Sequence, residues 1–140
     1  MSDASNGDDG GRRTGVRKHS DLIVYEKAFE TSVAIFEMSK GFPKEERYSL
    51  TDQVRRSSRS VCANLAEAWR KRRYEAAFVS KLTDCEAEAA ETQVWLQFIA
   101  EHGYAGKDVV RDLYRKCDEV LAMLSKMVRE PEKWCRLSKS

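Results

Sequence analysis

Few residues in this chain have the type and spacing to run a reaction. Glu86, Glu88 and Glu91 form an acidic group in which positions 88 and 91 share a helical face and 86 lies elsewhere, with no lysine or histidine at a spacing suited to acid/base work. A divalent cation held by Glu88 and Glu91 would make a hydrolase or nuclease, the weakest functional reading of the chain. His19 and His102 lack the Glu-x-x-His spacing of a di-iron helix bundle. Cys62, Cys85, Cys117 and Cys135 stand 23, 32 and 18 positions apart, too far for one turn to present two thiolates to zinc, and read as buried free thiols. The sequence also lacks a phosphate-cradling glycine loop and a nucleophile-plus-base motif. The pattern implies no enzyme, no metal and no cofactor.

Charge is the chemistry that remains. The 25 Lys and Arg nearly cancel the 23 Asp and Glu, but the balance is segregated along the chain. Residues 51–73 hold seven basic residues against Asp52 and Glu67, a net +5, and residues 74–101 hold Lys81 against six acidic residues, a net −5. On a helix advancing about 100° per residue, Arg55, Arg59 and Arg70 fall within about 60° of one another and could track a phosphate backbone. Arg55, Arg56, Arg59, Arg70, Lys71, Arg72 and Arg73 are therefore the candidate nucleic-acid contacts. The alternative is as physical: a basic helix beside an acidic one, within a subunit or across an interface, neutralises itself. Trp69 and Tyr74 flank the basic run, where they could stack bases or clamp a turn, and Trp95 sits off the main stripe of its helix, as a subunit contact would.

The elements that must position these residues are helical. The chain of 140 residues is the size of one domain, with 41% apolar residues, 34% charged residues and two prolines. Residues 1–20 hold four of the seven glycines and little that could be buried, and read as a disordered basic tail. The remaining breakers, Gly41 with Pro43, Gly103 with Gly106, and Pro131, divide the rest into helical segments. Leu22, Tyr25, Phe29, Val33 and Phe36 form one stripe, predicted to face the core of a first helix capped by Ser20 or Asp21 and by Gly41.

Between Gly41 and Gly103 a single helix would outrun its partners, so a bend is predicted at 70–76. Leu50, Val54, Ser57, Val61, Leu65 and Ala68 mark the second helix, with Ser49 and Asp52 as a weak capping box. Phe78, Leu82, Cys85, Ala89, Thr92, Leu96 and Ile99 mark the third, ended by Gly103, and Val110, Leu113, Cys117, Val120, Leu124 and Met127 mark the fourth. Short connections make neighbours antiparallel, so the expected fold is all-α, an antiparallel up-down-up-down four-helix bundle over 21–130 followed by a C-terminal tail at 131–140. The longest largely apolar run is the seven residues Val94 to Ala100, against about twenty needed for a bilayer, and the first twenty residues contain no secretory h-region. The expected location is the cytoplasm, with no membrane partner.

Three blocks and a dipeptide carry a resemblance. Phe42 to Arg56 (FPKEERYSLTDQVRR), Ser60 to Glu67 (SVCANLAE), Ala87 to Gln93 (AEAAETQ) and Gly103-Tyr104 resemble, in order, the bacterial four-helix bundle proteins encoded in intervening sequences of 23S ribosomal RNA genes, over roughly residues 21–128. Cys62 stands where that family often has proline, Ala68 where it often has glycine, and Trp69 to Tyr74 replaces its glycine-containing turn. The resemblance implies a ring-like homopentamer without established enzymatic activity. By analogy with a related bundle that serves retroelements, it also implies binding of a nucleic acid or protein partner. Arg55, Arg56, Asn64 and Glu67 match the family blocks, with Asn64 and Glu67 expected to satisfy backbone groups or Arg55 and Arg56. The expectation is a homo-oligomeric bundle that binds RNA or a ribonucleoprotein through its basic second helix and the following turn. The competing expectation is a scaffold or adaptor whose charged faces serve subunit contacts only.

Overall fold

The computed structural model describes residues 15–135. Four helices, α1 (Ile23–Ser39), α2 (Leu50–Arg70), α3 (Glu75–His102) and α4 (Lys107–Arg129), are joined by short turns, with 3-10 turns at His19–Asp21, Lys44–Glu46 and Pro131–Lys133. No strand occurs among the described residues. Each helix packs chiefly on the next and α1 returns to α4, so the four form a closed ring of neighbours. Cross-helix contacts fix the direction. Arg56 on α2 meets Glu88 and Glu91 on α3, whereas Glu67, further along α2, meets Lys81, nearer the start of α3. The same reversal relates α3 to α4, where Glu86 accepts a hydrogen bond from Ser125 and Gln93 donates one to Asp118. Neighbours are thus antiparallel, as the short connections require.

The predicted stripes of α2, α3 and α4 are buried at every position. That of α1 is not. Its buried face consists of Val24, Ala28, Thr31, Ser32, Ile35 and Ser39, while Phe29 is 51% and Val33 47% exposed. The helix is turned by roughly one residue, about 100°, from the expected orientation. The reason lies in the interior, where two apolar clusters are separated by a polar layer. One, around Leu65, Phe78, Leu82 and Leu124, fills the end bearing the α2–α3 turn; the other, around Ile35, Val54, Leu96 and Ile99, fills the opposite end. Between them Ser32 and Ser58 share a 3.2 Å hydrogen bond, and Ser57 and Thr92 share one of 2.8 Å. A helix bringing Thr31 and Ser32 to that layer cannot also bring Phe29 and Val33 inside.

Because these hydroxyls are out of reach of water, the Ser57–Thr92 pair acts as a unit. Thr92→Val alone leaves the Ser57 hydroxyl with only a 3.5 Å approach to the Val54 carbonyl, and is expected to destabilise by about 1–3 kcal/mol. Adding Ser57→Ala should recover part of that loss, since neither group is then orphaned. Urea unfolding of both single variants and the double variant measures the coupling, and strict additivity would show that the hydroxyls do not act together.

Three capping expectations change. Leu22, not Ser20 or Asp21, stands at the N-cap of α1, because the Asp21 carboxylate accepts the backbone N–H groups of Arg17 and Lys18 and closes the preceding 3-10 turn. Lys40 rather than Gly41 ends α1, in right-handed geometry. Ser49 starts α2 without a side-chain cap; Glu46 supplies it instead, accepting from the Leu50 N–H at 3.2 Å and from the Ser49 hydroxyl at 2.6 Å. The other Glu46 oxygen accepts the Tyr104 hydroxyl at 2.7 Å, tying this end of α2 to the α3–α4 turn. Hydrogen bonds from Ser49, Tyr104 and the Leu50 amide hold the Glu46 carboxyl below its usual pKa. Gly103 ends α3 as expected, with φ of 70°. α2 runs unbroken to Arg70 despite the changes at Cys62 and Ala68.

The expected tails at 1–20 and 131–140 fall largely outside the described residues. Positions 1–14 and 136–140 lie outside the described residues. Within the supposed tails, Val16 packs on the core cluster, and Pro131–Lys133 turns the chain so that Trp134 packs there and Cys135 is fully buried. No described helix is long and apolar enough to cross a membrane.

Candidate nucleic-acid interface

The seven candidate cations separate into two groups. Arg55, Arg56 and Arg59 lie on the flank of α2, and Arg70 to Arg73 lie at its C-terminal end, so Arg59 and Arg70 are about 16 Å apart along the axis at 1.5 Å per residue. Flank and end differ in what they touch.

On the flank the guanidinium groups already have partners. The Arg55 Nε donates to Ser39 Oγ at 2.7 Å and its guanidinium lies 4.5 Å from the centre of the Phe36 ring, which Arg59 and Lys40 approach at 5.4 and 5.1 Å. Arg56 bonds Gln53 on its own helix, then Glu88 at 3.1 Å and Glu91 on α3. Desolvation alone would lower the Arg56 pKa, but the hydrogen bonds to Glu91 and Glu88 outweigh it and raise it. Glu91 also accepts the Trp95 indole N–H at 3.1 Å. Glu88 and Glu91 thus share Arg56, and Glu91 also holds Trp95, so the pair is engaged within the fold. Among the described residues, no group of three or more His, Cys, Asp or Glu could hold a metal. Burial pushes the Cys62 thiol up to about 11 and those of Cys85 and Cys117 up to about 12, which keeps all three protonated near neutrality.

At the end of α2 the geometry is different. Cations gather there because the unpaired carbonyls at a helix C-terminus attract positive charge. Arg72 is part of the fold: its Nε donates to the Trp69 carbonyl at 2.8 Å and its guanidinium stacks 3.6 Å from the Trp69 ring centre. Arg70, Lys71 and Arg73 are exposed, and no ion pair among the described residues involves them. Trp69 is only 4% exposed, so it clamps the turn and offers no face for a base, while Tyr74 is 67% exposed. The Trp69 indole N–H donates to the Arg17 carbonyl at 3.4 Å, and the Trp134 ring meets Trp69 edge-on at 6.2 Å. Arg17, Lys18, Arg129 and Lys133 therefore lie at the same end as the basic turn. Sequence reasoning placed Arg17 and Lys18 in a disordered basic tail that assists binding and missed Arg129 and Lys133; the isolated Trp134 just beyond Pro131 was the available signal.

Of the two residues matched to the family blocks on the last turns of α2, Asn64 meets a backbone group, as expected, and Glu67 a lysine of α3. The Asn64 side chain donates to the Ser60 carbonyl at 2.9 Å, and Glu67 pairs with Lys81 at 2.9 Å, which raises the lysine's pKa. Neither meets Arg55 or Arg56. Trp95 is half-buried, its ring 6.2 Å from that of the exposed Phe98. The His102 ring lies between those of Phe98 and Tyr104 at the end of α3, tilted against both.

Comparison with known proteins agrees with this architecture. No curated protein matches the chain. A solved structure from Bacteroides thetaiotaomicron, a protein of unknown function from the S23 ribosomal protein family, superposes with a TM-score of 0.69 at 26% identity, covering 76% of this chain and 99% of that one. Residues 20–126 match the model of the family described as 23S rRNA-intervening sequence protein. With the matched region spanning all of α1 to α3 and most of α4, the chain belongs to the 23S rRNA-intervening sequence protein family.

Proposed function

We propose that this protein is a non-enzymatic, homo-oligomeric bundle that binds RNA through the end of α2 and the turn that follows. The observation that carries the reading is the exposure of Arg70, Lys71 and Arg73 without an acidic partner among the described residues, against the engagement of Arg56 by Glu88 and Glu91. Cations already paired in the fold lose those contacts when they bind phosphate, whereas solvated ones release counterions and gain affinity. The family's description as a 23S rRNA-intervening sequence protein supports RNA as the polyanion.

Self-association is part of the same reading. Exposed Phe29 and Val33 on α1 border a groove of about 450 Å³ against α2, and exposed Val94 and Phe98 lie on α3, the diagonal helix of the ring. Two unlike apolar faces pointing in different directions favour a head-to-tail contact, which closes into a ring. Five copies, as the family resemblance implies, is the proposed number. An adaptor for a protein partner is the second reading, favoured by the same apolar faces.

Fluorescence anisotropy against labelled structured RNA, single-stranded RNA and duplex DNA, with the oligomer mass measured in parallel, tests both parts. Substituting Arg70, Lys71 and Arg73 with glutamine should weaken RNA binding at least ~10-fold at physiological salt with the mass unchanged. Unchanged affinity would end the RNA reading, and affinity for all three ligands that vanishes with salt would leave only counterion release and move the search to protein partners.

A further inference from the structure

Three segments far apart in sequence meet on one buried indole. The Trp69 N–H holds the carbonyl of Arg17, its ring carries Arg72, and its edge meets Trp134. The bundle end around it is basic. With the four residues of the turn, Arg17, Lys18, Arg129 and Lys133 make eight cations, against Asp21, Glu75, Glu130 and Glu132. Two of those acids are held locally: Asp21 by the backbone of Arg17 and Lys18, and Glu130 by Lys133 at 2.8 Å. Arg17, Lys18 and Arg129 are exposed.

We infer that Trp69 assembles these three segments into one composite surface that grips the phosphate backbone of double-stranded RNA. The inference rests on the RNA-binding reading and goes beyond it by naming the form of the RNA and the residues outside α2 that share the contact. The form follows from how little the surface offers a base. Successive unstacked bases need a run of exposed aromatic faces; the turn presents one, Tyr74 at 67% exposure, because the indole beside the basic run is covered by Arg72 and Trp134. A duplex keeps its bases stacked and presents phosphates at regular spacing, matched by cations spread over a bundle end about 20 Å across, two helix diameters. The turn alone would reach one short stretch of backbone; the flanking segments widen the footprint.

The full chain carrying Arg17→Gln with Lys18→Gln, and separately Arg129→Gln with Lys133→Gln, is titrated against a short RNA duplex, a DNA duplex of the same sequence, an oligouridine strand and phosphatidylserine vesicles over a range of salt. Far-UV circular dichroism verifies that each variant is folded. The Arg17 and Lys18 pair should reduce the steepness of log affinity against log salt by about 1–2, near 0.9 per phosphate contact, and the Arg129 and Lys133 pair by about 1, because Lys133 already pairs with Glu130; each should weaken RNA-duplex binding by about 10-fold at physiological salt. Flanking variants that bind like the parent while the turn variant is weakened would overturn the composite surface and leave the RNA-binding reading standing. A turn variant that binds like the parent defeats that reading itself. Tighter binding to oligouridine, to the DNA duplex or to the vesicles than to the RNA duplex would overturn the assignment of the ligand.

Discussion

Trp69→Ala should lower the unfolding free energy by about 3–5 kcal/mol, the range for removing a large aromatic side chain from a packed site. The residue is 4% exposed and its loss removes more than its own area. Arg72 loses the ring it stacks on, Trp134 loses its edge contact, and the Arg17 carbonyl loses a donor. Domains of this size have total stabilities of about 5–15 kcal/mol, so a large share is at stake. Trp69→Phe keeps a ring but no N–H, and should cost clearly less than the alanine variant. The measurement is urea unfolding at one fixed protein concentration, because an oligomer's apparent stability depends on concentration. A midpoint shift corresponding to less than about 1 kcal/mol for Trp69→Ala would show that the segments are held there by other contacts.

How far the fold could be read from sequence depended on what covers each face. In α2, α3 and α4 the apolar stripe and the core face coincide, since Leu65, Leu82 and Leu124 have no other place to be buried. Periodicity then gives orientation as well as helix type. In α1 it gives only the helix. Phe29 and Val33 repeat at helical spacing as clearly as any core residues, but the inward positions hold the small residues Ala28, Thr31 and Ser32, of which Ser32 bonds a polar layer made by α2 and α3. A layer of that kind depends on residues 26 and 35 positions apart, and no local pattern reveals it. The ends of the helices were less legible for a related reason. Glu46 caps α2 from outside the helix and Asp21 closes a turn of its own, two choices that depend on the loop path.

The candidate site was legible as charge but not as geometry. Composition located the basic segment; it could not say that Arg56 faces Glu88 and Glu91 in the same chain while the turn residues face solvent. The segregation of +5 and −5 along neighbouring segments is partly neutralised within one chain by the Arg56 pairs, whereas Lys81 with Glu67 joins the minority charges of the two segments. What this neutralisation leaves over is concentrated at one end, where Arg17 and Lys133 add to it from either terminus of the described chain.

The apolar stripe on α1 supplies the second large effect. On the proposed self-association, Phe29→Asp together with Val33→Asp should give a smaller species than the parent, monomeric at micromolar concentration, with helix content unchanged. At 51% and 47% exposure about half of each side chain is already in water and neither belongs to the core, so the fold survives the change at a modest cost. In a subunit contact the same positions are desolvated, and a buried carboxylate without a partner costs several kcal/mol. At about 1.4 kcal/mol per factor of ten, a contact weakened by two such groups loses more than ~100-fold in affinity. Arg55, Arg59 and Lys40 around Phe36 lie close enough to rescue an acid that turned toward them, so Phe29→Ser with Val33→Ser serves as the uncharged comparison. Sedimentation velocity reads the outcome. If both variants keep the parent's mass, the stripe is not the subunit contact, and a partner of another kind must account for two large apolar side chains left in water.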